Sequence, residues 1–167
     1  MKRNHHPSQQ RIKEVLSYNP ADGRFTWLVD RIRVRQGNVA GKTTKEGYVE
    51  IGIDGKRYQA HRLAFVYMTG YVPDAFIDHI NLNKSDNRWK NLRIATNSQN
   101  QMNTTMKSNN TSGYKGVSWH KTDKRWRADI RVNGSKVFLG YFDTPESGHD
   151  AYRKAANAHH GEYARAA

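Results

Sequence analysis

The sequence predicts an α+β protein assembled from small units, and three observations predict it. Apolar residues make up only 36% of the 167 positions while aromatics reach 11%, so small aromatic cores fit where one large core does not. Strand-like alternation fills both ends of the chain, broken by Asp-Gly, Asn-Gly and Pro-containing turns. Between them lies a segment crowded with Asp, His and Asn that reads as strand, loop, strand and helix. The expected parts are a β-rich unit at 1–60, the polar centre at 61–106, a linker at 107–111 and a final module at 112–167.

In the first part, Ser8 to Leu16 carries Ile12, Val15 and Leu16 at helical spacing. Asn19 to Gly23 reads as a turn and Arg24 to Leu28 as a strand. Arg31, Arg33 and Arg35 alternate with Ile32 and Val34, which in an extended chain puts three guanidiniums on one side. Those arginines either make a solvated face or grip phosphates. Tyr48 to Ile53 and Lys56 to Gln59 flank Asp54-Gly55 as a hairpin. His61 to Met68 is a short helix stopped by Gly70 and Pro73, with Leu63, Ala64 and Tyr67 on one side.

The last part has three strands, Gly113 to Trp119, Lys124 to Val132 and Lys136 to Phe142, with Asn133-Gly134 as the second turn. Thr144 caps a helix that has Pro145 at its first position and a stripe of Gly148, Ala151, Tyr152 and Ala155. The module is therefore βββα. On its second strand Arg125, Arg127, Asp129 and Arg131 share one face, while Trp126, Ala128, Ile130 and Val132 share the other. Trp119, Trp126 and Phe142 are expected in the core.

The 28 Lys and Arg exceed the 15 Asp and Glu, a formal charge of +13. The excess is spread along the chain: 12 basic and 6 acidic groups in 1–60, 6 and 3 in 61–111, 10 and 6 in 112–167. A long basic track favours a polyanionic partner. The absence of Cys excludes disulfide scaffolds, Cys-based zinc fingers and thiol nucleophiles. No apolar run approaches the roughly 18 residues of a membrane span, and the N-terminus lacks the apolar core of a signal peptide. A soluble intracellular protein with a nucleic-acid partner, and no membrane, is the expectation.

The polar centre carries the chemistry. Asp78-His79 sits on a strand, Asn91 lies just before the next strand (Leu92 to Ala95), and Asn100 lies in a helix that Asn97 is positioned to cap. A carboxylate and an amide oxygen suit a hard divalent cation, Mg²⁺ first and Mn²⁺ second. A neutral imidazole beside that ion is placed to take a proton from an attacking water, with Asn91 to hold the ring. Asn81, Asn83, Asp86 and Asn87 are expected to shape the intervening loop. His61 either approaches this centre or packs at its helix start.

The stretches AHRLAF, GYVP and IDHINLNKSDNRWKNLRIATNSQN resemble the phage-type HNH homing endonucleases, with the likeness running over about 61–106. The resemblance implies a ββα-metal nuclease centre with Asp78 and Asn100 as metal ligands, His79 as general base and Asn91 as its support. It implies a phage-encoded enzyme in the bacterial cytoplasm that leaves 5′-phosphate and 3′-hydroxyl ends on double-stranded DNA. The third motif position is Asn100 where many relatives carry His, and one or both strands, a monomer or a dimer, remain open.

The stretches SGYKGVSW, RWRADIR and KVFLGYFDTPE resemble the plant Apetala/ethylene-response-factor DNA-binding domain over about 112–163. In that family the sheet enters the major groove. The positions this resemblance turns toward DNA are Lys115, Ser118, His120, Asp129, Arg131, Lys136 and Phe138, with Ser118 and His120 standing where plant members often carry arginine. A rival reading is a non-enzymatic DNA-binding regulator with a decayed nuclease centre, against which the complete set Asp78, His79, Asn91 and Asn100 argues.

Overall fold

Two compact units divide the chain, one ending at Ala95 and one beginning at Thr96. The structure, a computed structural model, describes residues 6–103, 106, 110–132 and 134–164.

In the first unit, Ser8 caps α1 (Gln9–Val15), its Oγ accepting the Arg11 N–H at 3.1 Å and satisfying an otherwise orphaned first-turn amide. The chain passes straight into β1 (Leu16–Asn19), turns through Pro20 to Gly23 and returns as β2 (Arg24–Trp27), with Tyr18 opposite Phe25. The short β3 (Val39–Ala40) pairs with the other edge of β2. A second sheet holds β4 (Lys42–Thr43), β5 (Val49–Ile53) and β6 (Lys56–Gln59) in that order. Asp54 and Gly55, both at positive φ, make the expected tight turn between β5 and β6. The next element, α2 (Ala60–Thr69), ends on a left-handed Gly70. A two-stranded hairpin follows, β7 (Phe76–His79) with β8 (Leu92–Ala95), pairing Asp78 with Arg93 and His79 with Leu92.

Ile12, Leu16, Phe25, Ile51, Leu63 and Val66 form one core that also takes Ile77 and Leu92 from the β7–β8 hairpin. The anticipated boundary at 60/61 therefore falls inside a shared core. Strands of four or five residues and a ten-residue helix bury too little surface to stand alone, so they pool it.

Residues 31–35 do not extend. Arg31 and Val34 exchange backbone hydrogen bonds of 2.8 and 3.0 Å across a two-residue turn, with Arg33 at φ 64°. Arg31 stacks over Trp27 at 4.4 Å and Arg35 faces Asp30 at 3.7 Å, so the three arginines do not form one row. A turn has replaced the alternation that would have aligned them.

Gly23 sets how closely the β1–β2 turn approaches the β7–β8 loop. A Cβ there would lie 2.3 Å from Arg88 N and 2.4 Å from Asn87 C, and φ is +78°. The contact is tied by Trp89 N–H to the Pro20 carbonyl at 3.0 Å and by the Tyr18 hydroxyl to the Asn87 carbonyl at 2.6 Å.

The second unit opens with α3 (Asn97–Met102). Its cap is Thr96, not Asn97: Thr96 Oγ1 accepts the Gln99 N–H while Gln99 Oε1 accepts the Thr96 N–H, a reciprocal capping box. The sheet runs β11–β10–β9, with β9 (Val117–His120), β10 (Arg125–Val132) and β11 (Ser135–Phe142) all antiparallel. β9 starts at Val117 rather than Gly113 because Gly113 and Gly116 adopt φ of 75° and 78°, outside the strand region. Asn133 of the expected turn and residues 107–109 of the expected linker lie outside the described residues.

Thr144 caps α4 (Pro145–His160), its Oγ1 accepting the Ser147 N–H at 3.2 Å. The buried face of α4 is Gly148, Tyr152 and Ala156; Ala151 and Ala155 are only partly covered. Tyr152 and Ala156 pack with Ile130 as the core of this unit. Trp119, expected inside, is 45% exposed and stands edge-on to Trp126. No described helix is long and apolar enough to cross a membrane.

Gly23→Ala should lower unfolding stability by about 2–4 kcal/mol in urea titration, combining left-handed strain with a backbone clash. Gly37→Ala, at a similar φ but with open space around it, should lose only about 1 kcal/mol. Equal losses at the two positions would show that the close approach at Gly23 is not the constraint.

Candidate functional site

Two neighbouring residues at the end of β7 face different partners, as strand alternation requires. The Asp78 carboxylate is 5% exposed and its Oδ2 accepts from both Nε and Nη2 of Arg93 at 2.9 Å, across the β7–β8 ladder. The His79 ring, equally buried, lies edge-on to His61 with centroids 5.0 Å apart, and Tyr48 packs near both rings.

The loop from Ile80 to Asn91 is built from side-chain amides. Asn91 Oδ1 accepts the Asn81 N–H at 3.0 Å, and Asn91 Nδ2 donates to Asn81 Oδ1 at 3.0 Å and to the Asp86 carbonyl at 2.8 Å. Asn81 Nδ2 reaches Asp86 Oδ2, and Arg88 forks onto the same carboxylate, holding the Asp86 carboxyl down at about 2. The amide of Asn91 is spent on this loop and not on the imidazole, the partner anticipated for it.

The residue that meets His79 is Asn87, with Nε2 and Asn87 Oδ1 3.3 Å apart. Asn87 Nδ2 donates to the Ser85 carbonyl, which fixes the amide so that its oxygen faces the ring. An acceptor there favours the tautomer with the proton on Nε2. Burial pushes the His79 pKa down, while Asn87 and then Asp78 and Asp86 pull part of the way back. His61 is driven further, to about 3, by burial first and then by His79 and Arg62, and its Nδ1 is buried with no hydrogen-bond partner.

Asp78, His79 and Asn91 thus come together on one hairpin, while Asn100 lies on α3 in the second unit. Sequence reasoning missed Asn87 as the imidazole's partner and Arg93 as the partner of Asp78; of the two places left open for His61, the ring lies beside the centre. Arg93 was findable from antiparallel pairing, since two strands in that register bring 78 and 93 opposite. Among the described residues no three His, Asp or Glu side chains converge to hold a metal. Asp78 supplies an anionic oxygen of the kind a hard divalent cation takes, and its Oδ2 is engaged by Arg93.

On the sheet of the second unit, pairing puts His120 opposite Arg125, Ser118 and Tyr141 opposite Arg127, Phe138 opposite Asp129, and Lys136 opposite Arg131. The predicted face is therefore one surface. Lys115 precedes β9, and its carbonyl meets His149 Nδ1. Tyr141 was missed because an extra residue in β11, Leu139 beside Gly140 at φ 132°, shifts the register and turns Tyr141 to the side of Phe138. Their rings meet edge to face at 5.0 Å. Arg125 is held by Asp143, whereas Arg131 is exposed. Asp129 is not open to a partner: Arg127 and Lys136 cover it.

The HNH endonuclease family pattern matches residues 58–102, from the end of β6 through α3. The chain is 34% identical over 97 residues to Protein 3.8 of Escherichia phage T7, covering 58% of this chain and 79% of that protein. It belongs to the HNH endonuclease family. It is also 31% identical over 122 residues to the uncharacterized HNH endonuclease L560 of Acanthamoeba polyphaga mimivirus, covering 72% of this chain and 62% of that one. Among solved structures, that of the HNH homing endonuclease I-HmuI aligns with a TM-score of 0.42 at 21% identity, over 87% of this chain and 85% of that one.

The buried imidazoles make the fold acid-sensitive. The unfolded chain binds protons near pH 6.5 and the folded chain resists them, so their contribution is complete above that pH and shrinks as pH falls below it. Urea midpoints should decline steadily from pH 7 to pH 4. His61→Phe, which keeps a ring but does not titrate, should flatten much of that decline; an unchanged slope would remove His61 as a main acid-sensitive group.

Proposed function

We propose that this protein is a metal-dependent DNA endonuclease that hydrolyses phosphodiester bonds, with His79 as general base. The observation that carries the proposal is the buried His79 imidazole beside the Asp78 carboxylate, its Nε2 fixed by Asn87 in a loop that Asn91 ties shut. Burial keeps the ring neutral at working pH, and Nδ1 takes the proton of the water that attacks phosphorus. Asn87 holds the ring plane and tautomer through that transfer. Asp78 would hold a divalent cation, Mg²⁺ or Mn²⁺; Asn100, expected from the sequence to join it, lies on α3 of the other unit. When bound, the cation supplies positive charge against the developing charge on the phosphoryl and departing 3′ oxygens.

Double-stranded DNA is the proposed substrate, supported by the formal charge of +13 and by the family. The second unit is proposed to grip and read it through the face that carries Arg125, Arg127, Arg131 and Lys136, in the manner of the Apetala/ethylene-response-factor sheet. The phage relative supports an origin in a phage and action in the cytoplasm of its host.

Supercoiled plasmid incubated with the protein and Mg²⁺ or Mn²⁺ should be relaxed or linearised, and chelator should stop it. His79→Ala should cut roughly 10²–10⁴-fold more slowly, while DNA affinity measured in chelator stays within about twofold. Near-normal cutting by purified His79→Ala protein would rule out the general-base role. A wild-type protein that binds DNA but cuts with neither metal would overturn the nuclease reading.

A further inference from the structure

A carboxylate in the middle of a surface meant for a polyanion calls for an explanation, because it repels the partner that the surrounding cations attract. Asp129 is such a group. Its side chain is only 8% exposed, and Arg127 forks onto it, with Nε 3.1 and 3.0 Å from the two carboxylate oxygens and Nη2 2.9 Å from Oδ1. Lys136 closes the other side, 3.0 Å from Oδ2. The same guanidinium stands over the ring of Phe138 at 5.1 Å, so Arg127 is gripped by a carboxylate along one edge and by an aromatic ring on one face. Phe138 is opposite Asp129 in the ladder, which is why both constraints converge on one arginine.

An arginine clamped along its Nε–Nη2 edge keeps three N–H bonds: both on Nη1 and one on Nη2. Two of them, one from each Nη, form the tip of the fork, the pair that matches the O6 and N7 acceptors of guanine in the major groove. Arginine contacts to phosphates, by contrast, position a protein on DNA and carry no sequence information.

We propose that Asp129 is a positioning residue for sequence reading: its buried carboxylate holds Arg127 in one orientation and so turns a general phosphate contact into a guanine reader. The inference rests on the proposed role of this sheet as the DNA-binding face. It assigns Asp129 an action through Arg127 in place of the direct DNA contact expected from the sequence.

The test uses the full chain in chelator, so that DNA is bound but not cut. A preferred duplex is selected from a randomised pool with the wild-type protein, and its affinity is compared with that of a scrambled duplex for wild type, Asp129→Asn, Arg127→Ala and the double variant. Asp129→Asn should bind the scrambled duplex as well as wild type or better, having lost a negative charge, while the preferred-to-scrambled ratio falls about tenfold. Adding Asp129→Asn to Arg127→Ala should change the ratio by less than about twofold, since nothing is left to position. Replacing guanines in the preferred duplex by 7-deazaguanine should weaken wild-type binding and leave Asp129→Asn little affected.

Arg127→Lys provides a variant that leaves Asp129 in place: it keeps the charge, loses the fork, and should lose the ratio while keeping affinity. A preserved ratio in Asp129→Asn, with wild type discriminating, overturns the positioning role alone. A further large loss in the double variant also overturns it, because Asp129 would then touch the base itself. A wild-type protein that selects no preferred duplex overturns the reading role of the sheet together with this inference.

Discussion

The amide-bonded loop between β7 and β8 is the constraint on which the first unit depends. Asn91 reaches back to Asn81 and to the carbonyl of Asp86, closing a loop of about a dozen mostly polar residues. Trp89 packs onto Phe65 near the loop's C-terminal end, and the polar remainder offsets its conformational entropy with hydrogen bonds. The loop is then fastened from outside by the Tyr18 hydroxyl and the Pro20 carbonyl, at the place where Gly23 lets two backbones touch. Asn87, and through it the plane of the His79 ring, is positioned as a consequence.

That arrangement explains why the β-rich front of the chain cannot be regarded as an appendage. Its strands bury Phe25, Ile51 and Ile53 in the core that receives Ile77 and Leu92, so the hairpin with the acid and the imidazole rests on the N-terminal sheets. Tyr48, just before β5, and His61, at the start of α2, wall the His79 ring. A desolvated imidazole with a lowered pKa follows from these walls, the state that the proposed general base requires.

A common electrostatic device recurs in both units. Each has a buried aspartate facing an arginine on the same sheet, Asp78 with Arg93 across two strands and Asp129 with Arg127 along one. Neither carboxylate would be tolerable unpaired in an apolar setting, and removing the arginine would leave a buried charge without compensation. In a chain with a formal charge of +13, these pairs place negative charge only where a specific cation already covers it. Carboxylates such as Asp143 and Asp30 remain at the surface, on exposed arginines where solvent screens the attraction.

The sequence by itself determined the local structure: the cap at Thr144, the Asp54-Gly55 turn, the βββα order, and the pairing of Asp78 and His79 at a strand end. These depend on residues within a few positions of one another, where propensity and hydrogen-bonding reach are decisive. Its readings failed or fell short where a distant contact or a single extra residue intervened. The Arg31 to Arg35 alternation gave way to a turn in which Arg31 stacks on Trp27, and the two parts expected on either side of residue 60 merged because neither could bury its apolar face alone. Only the tertiary structure decided that Asn87, rather than Asn91, meets the imidazole, that Tyr141 joins Phe138 on one face, and that Asp129 is covered. An amide looks the same in sequence whether it holds a loop or a ring; packing brings one of several equivalent asparagines within reach, and one extra strand residue reverses the side on which a ring appears.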